Sequence, residues 1–161
     1  MDPRQARRAR WLERRIPPPA VALAFGALMW ALARALPGLR VEIPAAAWTG
    51  AALGATGLAL DAAALLALRA ARTTPNPMKP EAATTLVTTG VYAWTRNPMY
   101  LGWLPIALGW AVFLEHPLTL IAVPLFVLYL DRFQIAPEER ALAAKFGAAY
   151  ERYRARVRRW L

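Results

Sequence analysis

The feature that most constrains this chain is its alternation of long apolar runs with arginine-rich or proline-rich breaks. Residues 20–36 (AVALAFGALMWALARAL), 45–68 (AAAWTGAALGATGLALDAAALLAL), 99–114 (MYLGWLPIALGWAVFL) and 118–130 (LTLIAVPLFVLYL) carry almost no charge. A spanning helix needs about 20 apolar residues, within a range of about 17–25. The first run lies near the lower limit and the second is long enough to cross with tilt. The last two read as one helical hairpin turning at Glu115-His116-Pro117, with Pro105 as an expected kink. Pro17, Pro18 and Pro19 stand where a helix start tolerates proline, and Pro37-Gly38 stop the first helix. Lipid offers a backbone amide no hydrogen-bond partner, so apolar runs of this length cross as helices. The expected fold class is therefore all-α: an integral membrane helical bundle of about four transmembrane helices plus a C-terminal amphipathic helix. The expected organisation is one membrane domain over residues 1–161, with a basic tail at 1–19 and two N-terminal spans at 20–68.

Composition narrows the chemistry. At 58% hydrophobic residues in 161, with a net charge of +10, a water-soluble domain would lack polar cover for its core. Disorder is excluded because it requires low hydrophobicity. Without cysteine there is no disulfide framework, thiolate metal site or cysteine nucleophile, and one histidine, His116, does not make a zinc site or a catalytic triad. No metal is expected. Residues 1–16 hold six arginines and no cleavable apolar stretch before the prolines, which reads as a retained tail. Lys and Arg number six before the first span, four in 69–98 and eight from Arg132 onward. The positive-inside rule then puts both termini and the 69–98 loop in the cytoplasm. Arginine at an anionic leaflet accounts for the charge without nucleic acid.

Gly50, Gly54 and Gly57 lie on roughly one helical face, a surface for close helix contact. Asp61, the acid within this span, either pairs with an arginine such as Arg72 or faces a cavity. Residues 69–98, with repeated prolines and threonines, form a folded loop. In the tail, Pro137-Glu138-Glu139 signals a helix start, and Leu142, Phe146, Tyr150, Tyr153 and Val157 give it one apolar stripe. The loop and the Gln134–Glu139 junction flank the same hairpin. They therefore meet at one end of it, bringing together Tyr92, Trp94, Tyr100, Arg96, Asn97, Glu138 and Glu139. Such a set suits a cationic, adenine-bearing ligand. Belts of interfacial Trp and Tyr and snorkelling Arg are the plainer reading of the same residues.

The stretch TTLVTTGVYAWTRNPMYLGW, followed by PEERALAAKFGAAYERYRARV, resembles the isoprenylcysteine carboxyl methyltransferase and phospholipid N-methyltransferase superfamily. Its signature is roughly G-x-Y-x-x-x-R-[HN]-P-x-Y-x-G, then E-E-x-x-L-x-x-x-F-G-x-x-Y-x-x-Y, here over about residues 84–157. The upstream TTPNP and KP elements resemble prokaryotic members. The resemblance implies a cofactor-binding methyltransferase core at 69–161 that uses S-adenosylmethionine at the cytoplasmic face of a prokaryotic inner membrane. By position, Thr84, Thr85, Leu86 and Val87 would line the adenosine end, with Tyr92 against it. Asn97, Pro98, Met99 and Tyr100 would form the second wall, and Glu138 would hold the cofactor's polar part. Gly102 would let two helices approach.

Two positions depart from the pattern. Asn97 stands where eukaryotic members have histidine, and an amide does not titrate near neutrality. Before the paired glutamates there is Gln134-Ile135-Ala136, with Arg132 the nearest basic residue. Asn97 and Arg132 are thus the candidate catalytic residues, and Arg132 with Gln134 the candidate substrate contacts. The acceptor, a lipid amine, a small thiol or an isoprenoid-linked carboxylate, stays open. No dedicated base is evident, which favours an anionic or soft acceptor or passive proton loss. The alternative is a non-catalytic membrane scaffold that keeps the fold. The topology predicts that reporter fusions at either terminus are cytoplasmic; periplasmic activity at one of them would overturn it.

Overall fold

The computed structural model describes Glu13 and residues 16–161; most of the basic tail expected over 1–19 lies outside the described residues. No strand occurs among the described residues. The α-helices among them are α1 (Pro18–Ala35), α2 (Ala46–Ala70), α3 (Pro98–Leu114), α4 (Pro117–Leu130), α5 (Ala136–Phe146) and α6 (Ala148–Arg156). Among the described residues, three helical stretches are long and apolar enough to cross a membrane: α1, α2 and the continuous run Pro117–Phe146. α3, at 17 residues, is shorter and equally apolar. At 1.5 Å per residue it extends about 25 Å.

The last crossing differs from the short segment expected. α4 does not stop before Pro137; it passes through a π-helical turn, Asp131–Ile135, into α5. In a regular α-helix the Pro137 ring would clash with the carbonyl of Phe133. The π turn, in which the Ala136 N–H bonds the Asp131 carbonyl, accommodates that ring without ending the helix. The expected helix start at Pro137 is therefore corrected. The single amphipathic tail helix is corrected too, because Gly147, at φ 51°, separates α5 from α6. α6 packs on the bundle: Tyr150 and Tyr153 are buried.

α2 and α3 form the most extensive helix pair, antiparallel and in very close contact. Gly50 faces Gly109 and Gly57 faces Gly102, seven residues apart on each helix. A Cβ on Gly50 would stand 2.8 Å from the Gly109 carbonyl oxygen, and one on Gly109 would stand 2.6 Å from that of Gly50. Between lipid-exposed helices there is little hydrophobic drive, so this close packing is what holds the pair. α1 docks on α3 and α4 through Phe25 against Phe126 (centroids 5.3 Å apart) and a bond from Trp110 Nε1 to the Gly26 carbonyl at 3.0 Å. Leu23, Trp48, Leu58, Leu66, Ile121 and Leu128 point outward, as lipid-facing side chains do.

At one end the loop after α1 is tied to the α3–α4 turn. Arg40 pairs with Glu115, whose other oxygen accepts the Ile43 N–H at 3.1 Å, and His116 Nε2 lies 3.0 Å from the Leu36 carbonyl oxygen. The hydrogen bond from Arg40, then that from Ile43, hold the Glu115 carboxyl below its ordinary range. The other end carries the long loop, α5, α6 and the C-terminal segment. Gly57→Ala is expected to destabilise the protein by about 1–3 kcal/mol, since the helices must separate. Gly54 has open space around a Cβ, so Gly54→Ala should be neutral or gain up to about 1 kcal/mol. Thermal unfolding in detergent separates the two; equal losses would refute the assignment of the contact.

Candidate functional site

The loop between α2 and α3 folds back through its own hydroxyl groups. Thr73 Oγ1 accepts the Thr84 N–H at 2.9 Å, and Thr84 Oγ1 donates to the Arg72 carbonyl at 3.0 Å. Asn76 Oδ1 accepts the Met78 N–H at 2.9 Å, turning the proline-rich stretch. Lys145 Nζ donates to the Glu81 carbonyl at 2.5 Å, joining this loop to α5.

Its second half is clasped by the C-terminal segment. Tyr153 donates its hydroxyl to the Tyr92 carbonyl at 2.7 Å, and the Arg96 N–H bonds the Arg158 carbonyl at 3.0 Å. Thr95 Oγ1 and Asn97 Nδ2 both donate to the Arg159 carbonyl, at 3.0 and 3.1 Å. At the centre sits Glu139, 7% exposed. Its Oε1 accepts from Arg96 Nε at 3.1 Å and Nη2 at 2.9 Å, and its Oε2 accepts from Arg159 Nη2 at 2.6 Å. Arg159 also pairs with Asp131 at 3.0 Å. The bond to Glu139 raises the Arg159 guanidinium further above its ordinary value.

These elements enclose a cavity of about 230 Å3 at the end of the bundle. Thr85, Leu86, Val87, Tyr92, Asn97, Pro98, Met99, Tyr100 and Glu138 all line it. Glu138 and Glu139 are successive on one helix, about 100° apart in direction. Glu138 takes a hydrogen bond from Tyr100 OH at 2.9 Å, while Glu139 joins the arginines. Burial first, and the Glu138 charge second, push the Tyr92 phenol well above its ordinary value, so it stays a neutral hydroxyl.

Other expected residues lie elsewhere. Thr84 is outside the lining and braces the loop from behind. Trp94, at 79% exposure, faces away. Arg132 bonds Glu13 at 3.0 Å, with Arg140 on the other oxygen of the same carboxylate. Gln134 is fully buried, its Nε2 donating to the Ile16 carbonyl at 2.7 Å. The expected substrate contacts Arg132 and Gln134 thus hold the approach to α1 rather than the cavity, because the π turn directs them there. Asn97 does not cap α3 with its side chain; its amide points to Arg159 and lies 3.4 Å from Glu139. Asp61 does not pair with Arg72 but lines the cavity.

Sequence reasoning missed Thr73, Trp103, Tyr150 as a lining residue, and Arg159. The TTPNP element carried a signal for the first. Nothing in an arginine-rich tail distinguishes Arg159 from Arg158.

The fold and the cavity define an integral membrane protein with a largely aromatic and aliphatic chamber, which includes Asp61, Glu138 and Glu139, at one end of its helical bundle. A protein-family model described as phospholipid methyltransferase matches residues 45–149, well over half the chain. The chain belongs to that family of membrane methyltransferases. The match takes in α2, which supplies Asp61 and Leu68 to the cavity wall. An uncharacterized protein of Haemophilus influenzae is 48% identical over 63 residues, 39% of this chain and 100% of that protein. Human protein-S-isoprenylcysteine O-methyltransferase is 41% identical over 73 residues, 45% of this chain and 26% of that enzyme. The Saccharomyces cerevisiae enzyme of that name is 40% identical over 82 residues, 49% and 33% of the two chains. The chain thus matches about a quarter to a third of the length of these two named relatives.

Glu139→Ala leaves Arg96 and Arg159 without their shared anion. It is expected to cost about 3–5 kcal/mol in thermal stability. Glu138→Ala should leave the unfolding temperature nearly unchanged; the reverse order would refute the division of roles.

Proposed function

We propose that this protein is a methyltransferase that binds S-adenosylmethionine in the cavity and methylates a lipophilic acceptor. The observation that carries the proposal is a second space adjoining the first. An apolar groove of about 630 Å3 opens between α1, α3 and α4, lined by Phe25, Trp30, Ile106, Trp110 and Phe126. Pro19 and Trp103 line both spaces. A chamber of aromatic and aliphatic side chains that also holds charged and hydroxyl groups thus meets a groove almost without polar groups.

The residues of the chamber fit the donor. Tyr150 lines the chamber, and its hydroxyl is buried without a hydrogen-bond partner among the described residues. Glu138 offers a carboxylate oriented by Tyr100, and Tyr92, Tyr100 and Trp103 supply aromatic surface for a cationic, ring-bearing ligand. When bound, S-adenosylmethionine supplies a methyl group already activated on a sulfonium. The protein's share is alignment and exclusion of water. Glu138 holds the donor's polar end, Thr85 to Val87 flank its adenosine, and the clasped loop and C-terminal segment keep water out. Pro19 and Trp103 meet the acceptor where the two spaces join.

The chamber lies at the end where the basic residues gather, namely Arg72, Lys79, Arg96, Lys145 and the arginines of α6. That supports a cytoplasmic chamber in a prokaryotic inner membrane. Titration calorimetry of the detergent-purified protein with S-adenosylhomocysteine is the test. Binding is expected, with Glu138→Ala losing about 1.5–3 kcal/mol of affinity. Tyr100→Phe, which removes the hydroxyl that orients Glu138, should lose about 0.5–1.5 kcal/mol. An absence of binding by the parent protein would overturn the proposal.

A further inference from the structure

Among the described residues, Glu138, Glu139 and Asp61 bring carboxylates to the chamber wall. Glu139 is balanced by Arg96 and Arg159, and Glu138 accepts the Tyr100 hydroxyl at 2.9 Å. Asp61 Oδ1 is buried without a hydrogen-bond partner among the described residues. Arg96, the cation of the lining among those residues, is engaged elsewhere. Its Nε and Nη2 bond Glu139, while Nη1 bonds the carbonyls of Val157 at 2.6 Å and Arg154 at 3.2 Å. The Tyr92 phenol feels the charges of both Glu138 and Asp61, so these two carboxylates face one space. An ionisable group within a spanning helix is costly unless a charge or a donor meets it.

The helix contact fixes where the Asp61 carboxylate stands. A Cβ on Gly102 would overlap Asp61 Oδ1, so glycine there leaves it room. Gly102 lies one turn into α3 and precedes Trp103, which lines both the chamber and the groove. Successive residues rise about 1.5 Å along a helix, so Asp61 stands close to the depth of that junction. Leu68, which also lines the chamber from α2, lies about 10 Å further along the helix, toward the long loop. Asp61 is thus at the end of the chamber that meets the groove. Transfer to an acceptor in the groove requires the donor's methyl group to lie at the junction. The donor's sulfur is one bond behind that methyl, so it sits beside Asp61 and Trp103 whichever way the donor's two ends run.

We infer that Asp61 is the residue that distinguishes the charged methyl donor from its neutral product, by facing the sulfonium. This rests on the methyltransferase reading above and adds how the chamber tells the two ligands apart. In S-adenosylmethionine the sulfur carries a positive charge, which the Asp61 carboxylate meets from one side and the Trp103 ring from another. On transfer, the acceptor's lone pair forms the new bond to the methyl carbon as the C–S bond breaks. The electron pair of that bond stays on sulfur, leaving the neutral thioether of S-adenosylhomocysteine. The two ligands share their adenosine and amino-acid ends, so Glu138 holds both alike. They differ in the one charge that Asp61 faces. After transfer the carboxylate has lost its partner in an apolar helix, which weakens the hold on the product and favours exchange for fresh donor. Asp61 is a donor-selecting residue, and the attraction it supplies is spent on binding rather than on lowering the barrier, because the sulfonium charge disappears in the reaction.

The test is titration calorimetry of the full chain in detergent with three ligands. These are S-adenosylmethionine, S-adenosylhomocysteine, and sinefungin, in which an amine-bearing carbon replaces the sulfonium and keeps its positive charge. Asp61→Asn is nearly isosteric and uncharged. It should lower the affinity for S-adenosylmethionine, relative to that for S-adenosylhomocysteine, by about tenfold, the low end for a close charge pair. Sinefungin should follow S-adenosylmethionine, and S-adenosylhomocysteine affinity should stay within about twofold of the parent's. Glu138→Ala should weaken all three ligands by similar factors, leaving their ratios unchanged. An unchanged ratio in Asp61→Asn overturns the inference. So does an equal loss for all three ligands, which would place Asp61 on a part of the ligand that donor and product share. Asp61→Ala takes its place if Asp61→Asn does not fold, with the same expected change in ratio. If neither folds, the parent decides: tighter binding of sinefungin than of S-adenosylhomocysteine supports the inference, and equal or weaker binding overturns it. S-adenosylhomocysteine binding with no charge discrimination defeats the inference alone. No binding of any ligand by the parent defeats the methyltransferase reading and the inference together.

Discussion

The buried carboxylate of Glu139 is the point on which the site depends. It lies on α5 and accepts hydrogen bonds from Arg96, in the loop before α3, and from Arg159, beyond α6. Three stretches far apart in sequence are thereby held by one side chain. A charge buried among partly desolvated groups is stable only when its partners are complete. The loop, the helix and the C-terminal segment therefore keep their places together. Around the cluster, Thr95, Asn97 and Tyr153 convert backbone carbonyls into further ties.

This cluster frees the neighbouring glutamate for another task. Because successive helical residues point about 100° apart, Glu138 turns toward Tyr100 and the chamber while Glu139 faces the arginines. The paired glutamates of the motif are chemically alike and geometrically divided. One helps close the chamber; the other gives it negative character. The π turn before them sets that direction, and Pro137 is the residue whose steric demand accompanies it.

On the other wall the glycines of α2 and α3 matter as much. Their close contact brings α2 against the site, so that Asp61, deep in an apolar helix, reaches the chamber beside Gly102. The apolar groove between α1, α3 and α4 ends at the same level through Trp103. The apolar groove, the chamber and the buried Asp61 carboxylate thus all border the first turns of α3.

Much of this was legible in the chain itself. Apolar runs, proline brackets and the alternation of arginine predict helices whose observed bounds differ by only a residue or two for α1, α3 and the start of α4, because membrane helices satisfy every backbone group locally. The two motif blocks likewise indicate Thr85 to Val87, Tyr92, Asn97 to Tyr100 and Glu138, all of which line the chamber. Local spacing does not reveal where a side chain finds its partner. Arg132 and Gln134 turned to Glu13 and Ile16, and Trp94 turned outward, while Arg159, indistinguishable from its neighbours in a basic tail, became part of the core of the site. Whether Asp61 would meet an arginine or a cavity was equally undecided by its sequence position. Helix formation is a property of neighbouring residues, but charge pairing depends on distances between segments, and only the packed bundle sets those.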